Sequence, residues 1–188
     1  MTKTITITIA DADANPHVNP SPNPEANVRS PAYFIARTTG TCWNCGVDLP
    51  LLALALPDSH ETLEVDDSSA VEPAVEPAAD WQCAASSAFL FNIEYLPEAV
   101  GRRLSEVSPH FRRDQSGATG AAYWINHCAR CGAAQGDDRL HCEPDGAFLP
   151  TNPAAAAAVE LKEFNEPFEA GAAGYAYEPE YFDFMRRV

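Results

Sequence analysis

Short apolar runs, separated by turn-forming residues, dominate the hydrophobic pattern of the chain. Runs of about four to eight residues bounded by proline, glycine or asparagine are typical of strands. Four such runs predict the strands of a folded core, at 33–37, 49–56, 88–95 and 121–126. The run at 49–56, LPLLALAL, has no charged position and is bounded by Pro57, which predicts a buried strand.

Helical periodicity follows the third of these runs. Pro97 suits the first turn of a helix, and Val100, Leu104 and Val107 recur at the spacing of one helix face. The pattern predicts a short amphipathic helix that ends before Pro109.

A second helix is predicted near the C-terminal end. Asn152 and Pro153 are typical of an N-cap and a first helical position. The helix would continue to about Phe164, with Ala157 and Leu161 on its buried stripe. The aromatic-rich segment 167–188 is expected to pack on the same domain.

The polar stretches define the domain limits. Residues 1–30 are predicted to be a disordered or extended N-terminal segment, because four prolines interrupt a polar stretch after residue 11. Within it, 4–9 alternates Thr with Ile and suits either a short strand or an unpaired tail. Residues 31–188 are predicted to form a single domain. Between 57 and 80 there are eight acidic residues and no Lys or Arg, which indicates an exposed acidic loop.

Charge limits the possible partners. The 188 residues carry a formal net charge of −15, from 27 acidic and 12 basic side chains. Long-range repulsion makes nucleic acid and anionic membranes unfavourable partners, and a basic protein a favourable one. No apolar run approaches the ~18–20 residues that span a bilayer, and the N-terminus has no continuous apolar core of a signal peptide. These features favour a cytoplasmic protein in a reducing setting.

Paired cysteine motifs carry the strongest chemical signal. CWNCG at 42–46 and CARCG at 128–132 each place two thiols two residues apart and follow the second thiol with glycine. A tight turn of this kind directs both sulfurs at one ion, and two turns supply the four ligands of a tetrahedral zinc site. Glycine tolerates the positive φ that such a turn requires. We therefore predict one structural Zn²⁺ held by Cys42, Cys45, Cys128 and Cys131, which makes residues 31–188 a zinc-stapled domain.

The two motifs are far apart, with 82 residues between Cys45 and Cys128. Compact zinc fingers use about 12–20, so the halves must meet through tertiary folding. Because loop-closure entropy grows logarithmically, the longer loop costs only roughly 1 kcal/mol more. The alternatives are a disulfide or redox pair in each motif, or unligated thiols.

Other residues near the motifs are weaker candidates. Cys83 and Cys142 have apolar neighbours, which favours small buried side chains over ligands. His127 and His141 lie beside cysteines and could replace a thiolate, but four thiolates already close the shell.

A closed shell also argues against catalytic zinc, which keeps an open position for water. The adjacent carboxylates in QGDD at 135–138 could bind a cation, although a solvated turn is the simpler interpretation.

The motif-bearing segments resemble a known group of proteins. TCWNCGVDLPLLALALP, followed by YWINHCARCGAAQGDDRLHCEPDGAF, resembles an uncharacterised family of bacterial zinc-ribbon-like proteins. In that family a CWxCG knuckle and an apolar strand are paired with an HCxxCGAxQGD-type knuckle. The resemblance covers roughly residues 31–165 and implies a zinc-binding domain with the same four cysteines as ligands. It implies no catalytic residues.

The predicted fold class is α+β, with a small antiparallel β-sheet, a split zinc-ribbon-like Cys₄ site and two or three short helices. The residues favour a non-enzymatic zinc module that mediates protein–protein interaction, since no nucleophile or acid–base pair is apparent. The alternative is a nucleic-acid-binding zinc ribbon. That hypothesis depends on four basic side chains within twelve positions, near Phe111 and Trp124: Arg102, Arg103, Arg112 and Arg113.

Overall fold

β-Strands are the main elements of the described part of the chain. The computed structural model describes residues 23–65, 79–117, 120–177 and 180–188. Its strands are β1 (Val28–Ser30), β2 (Tyr33–Thr41), β3 (Asp48–Leu56), β4 (Glu61–Val65), β5 (Ala79–Cys83), β6 (Ala88–Tyr95), β7 (Phe111–Gln115), β8 (Ala122–His127), β9 (Ala134–Gln135), β10 (Glu160–Phe164), β11 (Phe168–Tyr177) and β12 (Arg186–Arg187). Its helices are α1 (Glu98–Val107), α2 (Asp137–His141), α3 (Pro153–Ala156) and a 3₁₀ turn at Phe182–Phe184.

The strands form two sheets. The larger has nine strands in the order β12-β10-β2-β3-β6-β11-β1-β4-β5, and the smaller has the order β7-β8-β9. Neighbours pair antiparallel except for β10 and β12, which are parallel. The α+β prediction is consistent with this arrangement, but the prediction of a small sheet is wrong. The nine-stranded sheet is larger than the apolar runs indicated because its other strands are short or charged or, in the case of β11, rich in alanine and glycine.

The core lies on both faces of the large sheet and is organised by β3. Leu49, Leu51, Ala53 and Ala55 lie in one buried cluster, and the alternating residues Leu52, Leu54 and Leu56 in another. The first cluster includes Cys42 and Cys128, and the second is covered by Val100 and Leu104 of α1. Because β3 is buried on both faces, it has the continuous apolar pattern seen in its sequence.

The predicted central elements are confirmed. The four apolar runs correspond to β2, β3, β6 and β8, and the periodic stretch after Pro97 corresponds to α1. The 167–188 segment also packs on the domain, since β11 lies between β6 and β1. Strand β7, FRRDQ, had no apolar pattern and was missed; only Phe111 in it is buried.

The predicted helix from Asn152 to Phe164 is wrong over most of its length. The Asn152 side chain accepts a hydrogen bond from the Ala155 N–H at 2.9 Å, as an N-cap should, but α3 ends at Ala156. Residues 160–164 instead form β10, paired antiparallel with 33–37 of β2. Pairing with β2 therefore outweighs the helix preference of the preceding alanine-rich stretch, which ends in the short helix α3.

The expected boundaries shift at two places. Strand β1 precedes Pro31 and lies between β11 and β4, so the sheet begins earlier than predicted. The acidic segment 57–80 is not a continuous loop, because 61–65 form β4, paired with β1 and β5. Residues 66–78, and the possible strand at 4–9, lie outside the described residues.

Candidate metal centre

The four predicted cysteines converge at one point. The sulfurs of Cys42, Cys45, Cys128 and Cys131 all lie within 4.8 Å of one another. Across the two motifs, Sγ of Cys42 is 3.7 Å from Sγ of Cys131, and Sγ of Cys45 is 3.7 Å from Sγ of Cys128. Four sulfurs at about 2.3 Å from a tetrahedral zinc ion would lie about 3.8 Å apart. The cluster therefore has the dimensions of a tetrahedral metal site, and these distances far exceed the roughly 2.05 Å of a disulfide.

Each pair of cysteines lies in the turn of a hairpin. In the first turn, between β2 and β3, the Cys42 N–H donates to the Val47 carbonyl at 2.8 Å and the Gly46 N–H to the Cys42 carbonyl at 2.9 Å. Gly46 has a φ of 69°, which glycine adopts without steric cost.

The second turn, between β8 and β9, repeats this geometry. The Cys128 N–H donates to the Ala133 carbonyl at 2.9 Å and the Gly132 N–H to the Cys128 carbonyl at 2.8 Å, with a Gly132 φ of 74°. The knuckle-glycine prediction is confirmed at both positions. Because the first turn belongs to the large sheet and the second to the small sheet, the cysteine cluster joins the two sheets.

Gln135 links the two turns beside the sulfurs. Its Nε2 lies 3.5 Å from Sγ of Cys42 and donates to the Ala133 carbonyl at 2.8 Å, and its Oε1 accepts from the Trp43 N–H at 3.3 Å. Asn44 makes a similar link, from its Nδ2 to Sγ of Cys131 at 3.6 Å. Such donors stabilise negative sulfur and orient the ligand. Sequence reasoning named Gln135 only as part of QGDD at 135–138 and did not predict its contact with the sulfurs.

Neighbouring N–H groups and sulfurs shift the pKa values of Cys42 and Cys45 in opposite directions. Burial opposes ionisation of Cys42, but the N–H groups of Cys45 and Asn44 outweigh it and lower the pKa of this thiol to about 6. The Val47 N–H favours the Cys45 thiolate, yet burial and the three neighbouring cysteines raise its pKa to about 11. Four thiolates at this spacing repel one another, and a bound divalent cation would remove that repulsion.

Asn126 holds the second hairpin against the large sheet. Its Oδ1 accepts from the Leu52 N–H and its Nδ2 donates to the Leu52 carbonyl, both at 2.9 Å. The side-chain amide thus pairs with β3 as a neighbouring strand would. Asn126 is buried two residues before Cys128, so this contact positions the second pair of cysteines.

Neither histidine candidate belongs to the cluster. The imidazole of His127 lies 3.1 Å from Oδ2 of Asp114 through Nε2 and 3.0 Å from the Ile125 carbonyl through Nδ1. His141 stacks between Phe91 and Phe148, and complete burial lowers its pKa to about 3. It is therefore a neutral core residue.

The remaining cysteines lie outside the cluster, and the expectation that they are buried is wrong. Cys83 and Cys142 are both exposed. Cys83 ends the short strand β5 and Cys142 follows α2, whereas Phe89 and Leu140, the apolar residues near them in sequence, are buried.

Asp137 corrects the interpretation of QGDD as a solvated turn. The carboxyl of Asp137 is buried and accepts a hydrogen bond from the Asn92 N–H at 2.8 Å. Burial raises the pKa of Asp137 to about 7; the Asn92 N–H opposes this shift, and the charge of Asp138 adds to it. Asp138 itself is exposed, so only one of the two carboxylates faces solvent.

Three of the four clustered arginines are paired with carboxylates. Arg102 contacts Glu98 at 2.9 Å, Arg103 contacts Glu166, and Arg112 contacts Asp114 at 3.6 Å. The ring of Trp124 packs where a side chain on Gly101 would be, beside Phe111. Phe111 and Trp124, the aromatic residues on which the nucleic-acid hypothesis depended, thus pack against each other within the fold.

Trp43 is the exposed aromatic residue of the metal centre. Its side chain is 57% exposed, yet its Nε1–H donates to the Ala134 carbonyl of the other hairpin at 2.7 Å. The indole is therefore held in one orientation at the surface.

Comparison with known proteins adds no relative. No family model matches the chain, and neither a curated protein nor a solved structure gives a significant match. The resemblance to a zinc-ribbon-like family therefore stays a prediction. Among the described residues, no helix has the length and apolar character needed to cross a membrane.

Proposed function

We propose that this protein is a non-enzymatic, cytoplasmic module in which one structural zinc ion joins two β-sheets, and that it acts by binding another protein. The observation that carries the first part is the four-sulfur cluster. Its spacing suits a tetrahedral ion, and its four thiols leave no position for a reacting water.

The thiolate chemistry supports zinc over harder cations. Mg²⁺ and Ca²⁺ prefer oxygen ligands, whereas four thiolates in tetrahedral geometry suit zinc or iron. The zinc would stabilise the fold by holding both hairpin turns, because losing it leaves mutually repelling sulfurs at the contact between the sheets.

Elemental analysis of the purified protein tests the metal. We expect one zinc per chain, and loss of that zinc from Cys128→Ser. A zinc content under about half an equivalent, with all six cysteines titrating as free thiols or disulfides, contradicts the proposal. One iron per chain would keep the metal site and reject zinc.

The protein-binding part is supported by Trp43 and by the net charge. Tryptophan is enriched among the residues that dominate interface energies, and a fixed orientation reduces the entropy lost on binding. The net charge of −15 favours a partner with basic groups, which can also contact the indole face through cation–π interactions.

Partner capture with matched variants tests this part. The protein and its Trp43→Ala variant would each be used to isolate partners from the native host, with identification by mass spectrometry. Phe184→Ala is the control, since Phe184 is 55% exposed and lies elsewhere. We expect a partner that depends on Trp43 and not on Phe184, with zinc content unchanged. Equal recovery with all three proteins would contradict a role for Trp43.

Nucleic-acid binding is the second candidate. That hypothesis depended on free arginines beside exposed aromatic rings. Three of the four arginines contact carboxylates, and the ring of Trp124 packs against Gly101, so both features argue against it. We therefore rank it below protein binding.

A further inference from the structure

A cleft lies next to the metal centre, between the end of β2 and helix α2. It has a volume of about 330 Å³ and a floor that includes Leu51 and Leu140. Volumes near 300 Å³ are at the lower end of the range for small-molecule sites. Gln135 lines the cleft and also contacts Cys42, so the cleft and the metal centre share a wall.

Polar groups from several elements line the cleft. Within the described residues, β10 pairs with β2 only from Tyr33 to Arg37, so the lining stretch from Thr39 to Thr41 has no strand beside it on that edge. Unpaired backbone groups at a strand edge are available to a ligand. The exposed Arg139 also lines the cleft, as does Asp145, whose carboxylate accepts a hydrogen bond from Thr151.

Arg139 is one of five arginines without a carboxylate partner within the described residues, and of these five it is the one that lines this cleft. Arg29, Arg102, Arg103, Arg112 and Arg186 each contact a carboxylate. Within the described residues, no carboxylate lies within 4.0 Å of the Arg139 guanidinium, even though Asp145 lines the same cleft. A guanidinium presents a planar pair of donors that matches a carboxylate.

We propose that this cleft binds a small organic acid that also carries an amino or hydroxyl donor. The carboxylate of the ligand pairs with Arg139 and with backbone N–H groups at the edge of β2. The donor of the ligand faces Asp145. This inference goes beyond the proposed protein partner, because it concerns a small molecule held in a cleft beside the cysteine cluster.

A second, larger cleft is a poorer candidate. It has a volume of about 490 Å³ and is bordered by the carboxylates Asp58, Glu180 and Asp183. The guanidinium of Arg187 already lies over the rings of Phe34 and Phe182 there, at 5.0 and 4.7 Å from their centres. Its aromatic floor is thus covered by the chain itself.

Gly136 provides a variant that blocks the proposed site. It lines the cleft, a Cβ added there has no atom within 4 Å, and its φ of −63° suits any residue. Gly136→Leu should therefore fill the cleft without strain. Gly117→Leu is the matched control, because a Cβ at Gly117 also meets nothing within 4 Å and Gly117 does not line the cleft.

The experiment is a titration of the full zinc-loaded chain with lactate, L-serine and L-glutamine. Binding is monitored by NMR chemical shifts. Lactamide, the uncharged equivalent of lactate, is the ligand control. We expect saturable shifts with at least one acid at concentrations up to about 10 mM, a range suited to such small ligands. The indole N–H signal of Trp43 should shift, because this N–H donates to the carbonyl of Ala134, next to the cleft residue Gln135, and that of Trp81 on β5 should not.

The variants decide the outcome. We expect Gly136→Leu and Arg139→Gln to weaken binding at least tenfold, and Gly117→Leu and Arg113→Gln to leave it unchanged. The proposal is overturned if none of the three acids saturates, if lactamide binds as well as lactate, or if the cleft variants bind like their controls. Zinc content measured in every variant separates loss of the cleft from loss of the metal centre.

Discussion

Individual cysteines in this chain have different surroundings, and those surroundings predict different effects of substitution. Cys128 is buried, and its sulfur lies 3.7 Å from Sγ of Cys45. Cys142 is exposed and lies outside the cluster. The exchange of sulfur for oxygen is nearly isosteric at both positions, so the difference between them reports on metal ligation.

We expect Cys128→Ser to lower the melting temperature by at least about 10 °C, because it removes one zinc ligand and several kcal/mol of metal-linked stability. Cys142→Ser should change it by no more than about 2 °C. Differential scanning calorimetry, with zinc content measured on the same samples, provides the comparison. Equal effects of the two substitutions would show that the assignment of Cys128 as a metal ligand and of Cys142 as a non-ligand is wrong.

Asp137 predicts a pH dependence of stability. Its pKa is raised to about 7 in the folded state by burial, against about 3.9 in an unfolded chain. Because the folded state binds the proton more tightly, the contribution of Asp137 to stability is complete below about pH 4 and is lost as the pH rises through 7.

Asp137→Asn should remove the loss of folding stability that occurs as the pH rises through 7. Its amide oxygen can still accept the Asn92 N–H, and we expect stabilisation of the order of 2 kcal/mol at about pH 8 relative to the unmodified chain, with little gain at about pH 4. Urea unfolding at both pH values measures the effect. Asp138→Asn, at the exposed neighbour, should not reproduce it; a variant at 137 that is no more stable at the higher pH would contradict the assignment.

Two hairpins are the elements that build the metal centre. Each delivers two sulfurs from a turn closed by the same pair of backbone hydrogen bonds, and they belong to different sheets. A hairpin turn fixes two ligands locally, but it does not fix the distance to the other pair. That distance depends on how β8 packs on the large sheet, where Asn126 contacts both polar groups of Leu52.

Asn126→Asp should therefore destabilise the protein by about 2–4 kcal/mol, because it replaces a buried donor with a charge facing the Leu52 carbonyl. It should also weaken zinc retention against a chelator, since the second hairpin loses its contact to β3. Chemical unfolding and zinc release measured with a chromogenic chelator test both effects. Asn152→Asp is the control, because its side chain only accepts a hydrogen bond and aspartate is an equally good N-cap.

Charge acts on the scale of the whole molecule. The net charge of −15 opposes approach of a polyanion, although salt screens repulsion beyond about 8 Å at physiological ionic strength. Sequence-independent binding also needs several phosphate contacts, and Arg102, Arg103 and Arg112 already contact carboxylates.

We therefore expect no gel shift with mixed single- or double-stranded DNA or RNA at low micromolar protein and about 150 mM salt. A shift that appears under these conditions, and disappears in the Arg112→Glu, Arg113→Glu double variant, would make nucleic-acid binding the leading function. The single variant Arg130→Glu changes the turn between Cys128 and Cys131. It tests whether the second cysteine turn contributes to nucleic-acid binding separately from the arginines of β7.

The local pattern of the chain was sufficient to identify the central strands, helix α1 and the four cysteines of the cluster. Continuous apolar runs specify buried strands because their side chains have no polar alternative, and a CxxCG motif specifies a knuckle because its geometry is contained within five residues. Only the tertiary structure decided the fate of residues 160–164, whose hydrogen bonds to β2 outweigh an alanine-rich helix signal. It also decided that Asp137 is buried and that Gln135 and Asn126 support the metal centre. These roles depend on contacts between residues distant in sequence, such as Asn126 and Leu52, and local periodicity carries no information about such contacts.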